Sequence, residues 1–413
     1  KMKTHSLSVD YKLFFVVLVL IVFWMIMISS VSIYPSFKVT TSMQVRWLID
    51  EAYNYFYVRK NIFHVLLSLW VLAVVVKTPY QFFEKYSRHI FAFVLVLLVS
   101  VLLIWDSWNG ARWWINLPFL PFAIQPTEFL KFGTITFLAW FLKIQQKKIY
   151  SFKDWFIPFS CILWVILILV GLQPDFWTIM VVIPMSVMMF FVAWANMRYL
   201  LVLLILWVVL IMWVYLWWKH DKEVRGDENK LSYITDRIDN FLTDSKSAIS
   251  RKTIHYQSEQ ALIAIGSGGF TWLWFGKSIQ KYWYLPEVQW DFIFSVIAEE
   301  LGFVWVLVLL SMFSYISYRA FYISYYSTDL FARYYAFGFA CWIMLQACIN
   351  IWVNLNIVPL TWITLPFVSY WWSSLLALSI WLWVLLNISK YIDISKTRSG
   401  RKKMQFRNKV FMK

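Results

Sequence analysis

The stretch Tyr284–Gly302, YLPEVQWDFIFSVIAEELG, decides how the rest of the chain is read. It holds four carboxylates: Glu287, Asp291, Glu299 and Glu300. The last two lie inside an apolar run that continues as FVWVLVLLSMF. A charged side chain at the middle of a bilayer costs about 2.5–3.5 kcal/mol on insertion scales. Acids in such a run need either partners or a task.

The composition says what surrounds them. The 413 residues are 61% hydrophobic and 15% charged, with a mean hydropathy of +0.62. Soluble domains run at about 45–50% apolar and about 25% charged. The chain reads as an all-α polytopic membrane protein forming a single domain over 1–413. An apolar run of about 20 residues spans a bilayer. Ten runs qualify: 11–33, 61–76, 89–105, 126–144, 155–172, 176–194, 198–218, 291–318, 332–357 and 365–388. The first lacks a small-residue cleavage site and reads as an anchor. A large extracytoplasmic loop, 219–290, falls between the seventh and eighth spans, and a basic tail covers 389–413.

Ten spans put both termini on one side. With that side cytoplasmic, the cytoplasmic segments hold 22 Lys and Arg and the short outer loops five. The positive-inside rule favours this orientation, since long loops such as 219–290 translocate regardless of charge. The net charge of +16 follows from tails facing anionic headgroups and does not require nucleic acid. Cys161, Cys341 and Cys348 all fall within spans and imply no disulfide framework, and the five histidines show no metal spacing.

With topology fixed, four chain segments bring polar residues to one membrane face. Glu128 and Lys131 open the fourth span three residues apart, on one helix face. Gln173 and Asp175 fill the short turn before the sixth. Asp291 starts the eighth. Ser369, Tyr370, Ser373 and Ser374 lie in the expected first turns of the tenth. Glu299 should sit roughly 12 Å below Asp291 and about 80° around the helix, with Glu300 about 180° around. The two glutamates cannot share a partner, and both are expected to pair within the bundle. Lys131, the one Lys or Arg well inside a span, should pair with Glu128 or with a carboxylate of the eighth span.

Seven stretches now carry a resemblance: NGARWWINL (109–117), IQPTEFLKFG (124–133), LQPDFWT (172–178), YQSEQALIAIGSGGF (256–270), GKSIQKYWYLPE (276–287), the opening stretch, and LPFVSYWWSSLL (365–376). In this order they resemble the SEDS family of cell-wall glycosyltransferases, FtsW and RodA, and GKSIQKYWYLPEVQ is more similar to FtsW. The resemblance implies ten spans and polymerisation of lipid II at the outer face of the bacterial inner membrane. The growing chain is carried on undecaprenyl pyrophosphate. It implies that Asp291 is the essential aspartate, acting as general base, and that Lys131 faces the pyrophosphate, with Arg112 less securely placed. Glu287 and Gln289 would orient Asp291 or hold a divalent cation, magnesium or manganese. Gln125, Glu128, Asp175, Lys281, Ser369 and Ser373 complete the candidate substrate contacts. Expected partners are a class B penicillin-binding protein and other divisome or elongasome proteins.

The departures concern glycine. The chain has 11 Gly against 28 Trp. Trp177, Trp371 and Trp372 stand where the family has glycine, Trp290 where it has threonine, and Trp113 precedes Trp114 where arginine is usual. The pattern is that of an altered sequence whose fold survives and whose activity falls. A lipid-linked-sugar flippase and a non-catalytic septal scaffold remain alternatives, although a transporter would often show an internal repeat and none is visible. The orientation has a direct check. A cysteine introduced at position 240 should be modified by an impermeant reagent added outside intact cells, and protection there would reverse the topology.

Overall fold

The computed structural model describes residues 9–103, 115–116, 123–146, 152–173, 175–193, 249–286 and 288–392, together with position 237 and scattered positions between 198 and 220. The described chain is mostly helical. Helices α1 (Tyr11–Val31), α2 (Ile33–Val45), α3 (Phe56–Val76) and α4 (Tyr80–Leu103) come first. A two-residue antiparallel pair follows, β1 (Ile115–Asn116) with β2 (Ala123–Ile124). Then come α5 (Pro126–Gln145), α6 (Ile157–Leu172), entered through a π-turn at Phe152–Phe156, and α7 (Phe176–Val192). The last five are α8 (Ile249–Ser267), the short α9 (Gln280–Trp283), α10 (Ile293–Tyr326), α11 (Leu330–Asn354) and α12 (Trp372–Ser389).

Six of the described helices are long and apolar enough to cross a membrane: α1, α4, α6 with its π-turn, α10, α11 and α12. Helices α3, α5 and α7 coincide with three further expected spans. Of the expected seventh span, 198–218, only scattered positions are described. The tenth expected span starts too early at 365, because residues 355–371 form turns and extended backbone and the helix begins at Trp372. Ser369 and Tyr370 therefore precede α12 instead of lying in its first turn.

Local chemistry sets the helix ends. Pro126 occupies the first turn of α5, Glu128 follows it and Lys143 lies in the last turn, an order that suits the helix dipole. Asp175 caps α7, accepting the Thr178 amide at 3.2 Å. Asp10 caps α1 in the same way and also takes the Arg319 guanidinium at 2.8 Å (Nε). At the same end of the bundle, Lys143 pairs with Glu84 at 2.5 Å and with Asp329 at 2.7 Å. These contacts gather the start of α1, α4 and α11 beside the ends of α5 and α10. The other end of the bundle is left to Glu128, Lys131, Asp175 and Asp291.

Helix α10 packs along α11 and α8, α5 along α4 and α11, and α12 along α3. Most of the apolar interior is one continuous cluster. A smaller one, including Phe91, Leu98, Leu130, Val170 and Val182, joins α4 to α7. On the outside, Phe15, Phe93, Val96 and Ile168 are more than half exposed. Such apolar outer faces suit lipid.

Helix α10 is broken at Gly302, whose φ of 75° and ψ of −179° leave the helical region. The break is met by the segment after α8: the Phe303 amide donates to Gly269 O at 3.1 Å. The two backbones touch where neither has a side chain. A Cβ on Gly302 would stand 1.5 Å from Thr271 O, and one on Gly268 would stand 1.9 Å from Ala298 O. Gly302→Ala combines that clash with a left-handed φ, and should cost more than about 1 kcal/mol. A thermal melt in detergent, followed by size-exclusion recovery, reads this directly. A parental melting temperature in the variant would mean that the contact is not rigid.

Candidate active site

The site is best built from α11. Three amides, Gln346, Asn350 and Asn354, recur every fourth residue on an otherwise apolar helix, and all are buried. That spacing places them in one row. Each reaches a different neighbour. Gln346 Oε1 accepts the Lys131 ammonium at 2.9 Å and the Trp342 indole N–H at 2.6 Å, while its Nε2 donates to Thr364 O at 3.0 Å. Asn350 Nδ2 donates to Asp291 O at 3.1 Å and to Ile363 O at 2.8 Å. Asn354 Nδ2 donates to Asp291 O at 3.0 Å, and its Oδ1 accepts the Ser295 hydroxyl at 2.6 Å.

One helical row thus holds Lys131 of α5, the Asp291 backbone at the entry to α10, and the 360–371 segment leading to α12. Gln346 and Asn350 are one turn apart, a rise of about 6 Å. The structure brings α5, the entry to α10 and the segment before α12 together along this row. The amide row was not singled out in the sequence, although three amides at helical spacing in an apolar run were the available signal.

Lys131 resolves its two expected pairings in favour of Glu128, at 2.7 Å, with both side chains buried. Glu128 Oε2 makes no hydrogen bond among the described residues. Gln125 sits at the N-cap of α5, with its carbonyl accepting the Glu128 amide at 3.2 Å. Asp175 is buried and takes both the amide and the hydroxyl of Thr178, at 3.2 and 2.7 Å. Burial pushes its carboxyl up from the ordinary value, against the Thr178 bonds and the nearby Lys131 charge. Asp291 is 4% exposed, and Gln289 beside it is also buried. Gln289 O accepts the Tyr370 amide at 2.9 Å, which ties the Asp291 segment to the start of α12. There the Ser369 hydroxyl accepts the Leu365 amide at 2.8 Å, and Ser373 is fully buried in the first turn. Arg112 and Glu287 lie outside the described residues.

Lys281 is placed elsewhere. It is 1% exposed, and its ammonium donates to Glu300 Oε1 at 2.7 Å, Ser30 Oγ at 2.7 Å and Gly276 O at 2.9 Å. Its three protons meet protein acceptors inside the bundle. Glu299 and Glu300 do take separate partners, as their helical angles require. Glu299 accepts the Ser278 hydroxyl and the Ile279 amide, the latter at 3.0 Å.

Among the described residues no group of three His, Cys, Asp or Glu side chains could hold a metal ion. The positive charge placed in the site is that of Lys131. Arg237, unforeseen in the sequence, is buried against the segment before α12, donating to Leu360 O at 2.9 Å and lying 3.9 Å over the Trp362 ring and 5.8 Å over that of Trp177. The tryptophans crowd this region. The rings of Trp290 and Trp371 meet edge to face with centroids 4.2 Å apart, and Trp177, two residues after Asp175, is 6% exposed.

Comparison with known proteins agrees with this architecture. A family model described as "Cell cycle protein", covering FtsW, RodA and SpoVE, matches residues 11–393. The chain is 31% identical over 362 residues to the stage V sporulation protein E of Bacillus subtilis, covering 87% of this chain and 91% of that one. It is 32% identical over 301 residues to a probable peptidoglycan glycosyltransferase FtsW of Legionella pneumophila, covering 72% of each. Among solved structures, a peptidoglycan synthase complex that coordinates polymerization and crosslinking aligns with a TM-score of 0.71 at 23% identity, over 94% of this chain and 100% of that one. The Thermus thermophilus rod shape determining protein RodA aligns at 0.62 and 24% identity, over 93% and 97%. The chain belongs to the FtsW, RodA and SpoVE family of membrane proteins.

Proposed function

We propose that this protein is a peptidoglycan glycosyltransferase of the plasma membrane that polymerises lipid II at the outer face, with both termini in the cytoplasm. The observation that carries the reading is the amide row of α11, which holds Lys131 and the Asp291 segment one helical turn apart. The relatives' names, which include several probable peptidoglycan glycosyltransferases, point to the same reaction.

In this reading Asp291 takes the proton from the 4-hydroxyl of the acceptor's GlcNAc. The hydroxyl oxygen forms the new bond to C1 of the donor sugar. The C1–O bond to the pyrophosphate breaks, and its electron pair leaves with the undecaprenyl pyrophosphate. A carboxylate at the entry to a helix is suited to that proton transfer. A hydroxyl is a weak nucleophile, so alignment contributes as much as basicity. Lys131 meets the negative charge that develops on the leaving group, and Gln346 fixes where its ammonium points. A class B penicillin-binding protein is the partner this reading requires for crosslinking, in cell division or in shape maintenance.

A non-catalytic scaffold is the second reading. The observation favouring it is the pair of indoles, Trp290 and Trp371, packed beside Asp291. Added volume in a packed site typically costs about 1–3 kcal/mol.

Polymerisation of labelled lipid II in detergent separates the readings. Replacing Trp371 and Trp372 with glycine and Trp290 with threonine should raise the rate at least about tenfold. Adding Asp291→Asn to that background should abolish it. Full activity before the reversions would show that the rings are tolerated. Headgroup translocation without polymer would indicate a flippase, and neither activity a scaffold. Gln346→Leu removes one acceptor from a buried ammonium. It should lower stability by about 1–3 kcal/mol, read by denaturation in detergent.

A further inference from the structure

The residues between α8 and α10 hold charges that the reaction above does not use. Lys281, Glu300 and Ser30 form a closed triangle: the ammonium reaches Glu300 Oε1 and Ser30 Oγ, and the Ser30 hydroxyl donates to the same carboxylate at 2.7 Å. Both charged side chains are at most 1% exposed. One residue along α10, Glu299 accepts the Ser278 hydroxyl and the amides of Ile279 and Gln280, the latter two at 3.0 and 3.4 Å. Ser278 Oγ in turn accepts the Lys281 amide at 3.2 Å. Four residues before Ser278, the backbone turns through Trp274 at φ 85°, and before that it lies on Gly302 at a distance that only glycine allows. Asp291 is ten residues beyond Lys281 and two before α10 begins.

We propose that Glu299, Glu300, Lys281 and Ser30 act as a buried clamp that seats residues 268–286 on α10 and thereby fixes Asp291. The inference rests on the glycosyltransferase reading, and Lys281 is in it a positioning residue. The acids that looked anomalous in an apolar run are the α10 half of the clamp. Adjacent residues point about 100° apart on a helix. Glu299 can therefore face the loop while Glu300 faces α1, and one helix grips two elements. Charge-assisted bonds in a water-poor interior are directional as well as strong, which suits a fixing role.

The test uses the full chain with Cys161, Cys341 and Cys348 changed to alanine and one reporter, Leu285→Cys, at a position 4% exposed. Lys281→Met should make the reporter react faster with maleimide in detergent and should lower kcat about a hundredfold with KM little changed, since a displacement near 1 Å costs that much. The exchange Lys281→Glu with Glu300→Lys should recover part of both. Unchanged labelling in Lys281→Met overturns the clamp. Faster labelling with a parental kcat shows that the segment does not set Asp291, and overturns the inference too. A large rise in KM with unchanged labelling would return Lys281 to substrate contact. Labelling is read without turnover, so it tests the clamp even in a parent that is inactive for other reasons.

A separate observation concerns the tryptophans. A chain of 413 residues with ordinary usage holds about 29 glycines, and this one holds 11 beside 28 Trp. Trp47 and Trp274 adopt φ of 57° and 85°, the region that favours glycine. Six indole N–H groups, those of Trp24, Trp155, Trp177, Trp290, Trp381 and Trp383, are buried and donate to nothing among the described residues. Buried tryptophans ordinarily find a partner. We infer that in the cell that makes this protein the positions of Trp47, Trp177 and Trp274 carry glycine, inserted at a codon that other genetic codes read as tryptophan. Peptide mass spectrometry of the protein from its native membrane decides this. Glycine at positions 47 and 274 is the expected result, and tryptophan at either overturns the inference.

Discussion

The row Gln346, Asn350 and Asn354 is the constraint on which the rest depends. A carboxamide buried in a membrane bundle is tolerated when its donors and acceptors are met. Here they are met by groups from α5, from the entry to α10, and from the non-helical segment before α12. Satisfying three side chains on one helix therefore fixes three elements at once. The backbone of 360–371 can leave helical geometry at this depth because Thr364 O and Ile363 O are bonded to that row.

The same logic runs through α10. Its break at Gly302 frees backbone groups, and the segment after α8 supplies a replacement through Gly269 O. The close approach needs glycine on both sides, at 268 and 302. The helix then carries two adjacent glutamates, each held by different donors. Removing one member of a buried ion pair is usually costly, about 3–5 kcal/mol, because a charge is left uncompensated. A segment joined by one such pair and by the bonds to Glu299 is held on the helix, and Asp291 lies between that segment and the helix start.

The two ends of the bundle divide the charges by use. At one end, Asp10 with Arg319, and Lys143 with Glu84 and Asp329, close helix termini together and are partly exposed. At the other end the charges are buried: Glu128, Lys131, Asp175 and Asp291. Burial there raises the Asp175 carboxyl and leaves the Lys131 ammonium within reach of its field.

The sequence by itself determined the medium, the helical class and most helix positions, because apolar run length is fixed by bilayer thickness and needs no knowledge of neighbours. It also placed Glu128, Lys131, Asp175 and Asp291 at one end of the bundle, since chain direction alternates from span to span. It showed that Glu299 and Glu300 must face apart, a matter of about 100° per residue. What it left open was which partner each charge takes. Lys281 was legible as a loop cation and became the Glu300 partner only through the fold of 268–286 onto α10. The late start of α12 was less plain, because Leu365–Ser369 is nearly as apolar as a helix; Pro366 turns Leu365 away from helical backbone, Phe367 takes a φ of 61°, and the Thr364 and Ser369 bonds hold the segment in place. Periodicity reports which face of a helix is polar. Which groups meet across that face depends on distances between residues hundreds of positions apart, such as Ser30 and Glu300, and tertiary packing alone sets those.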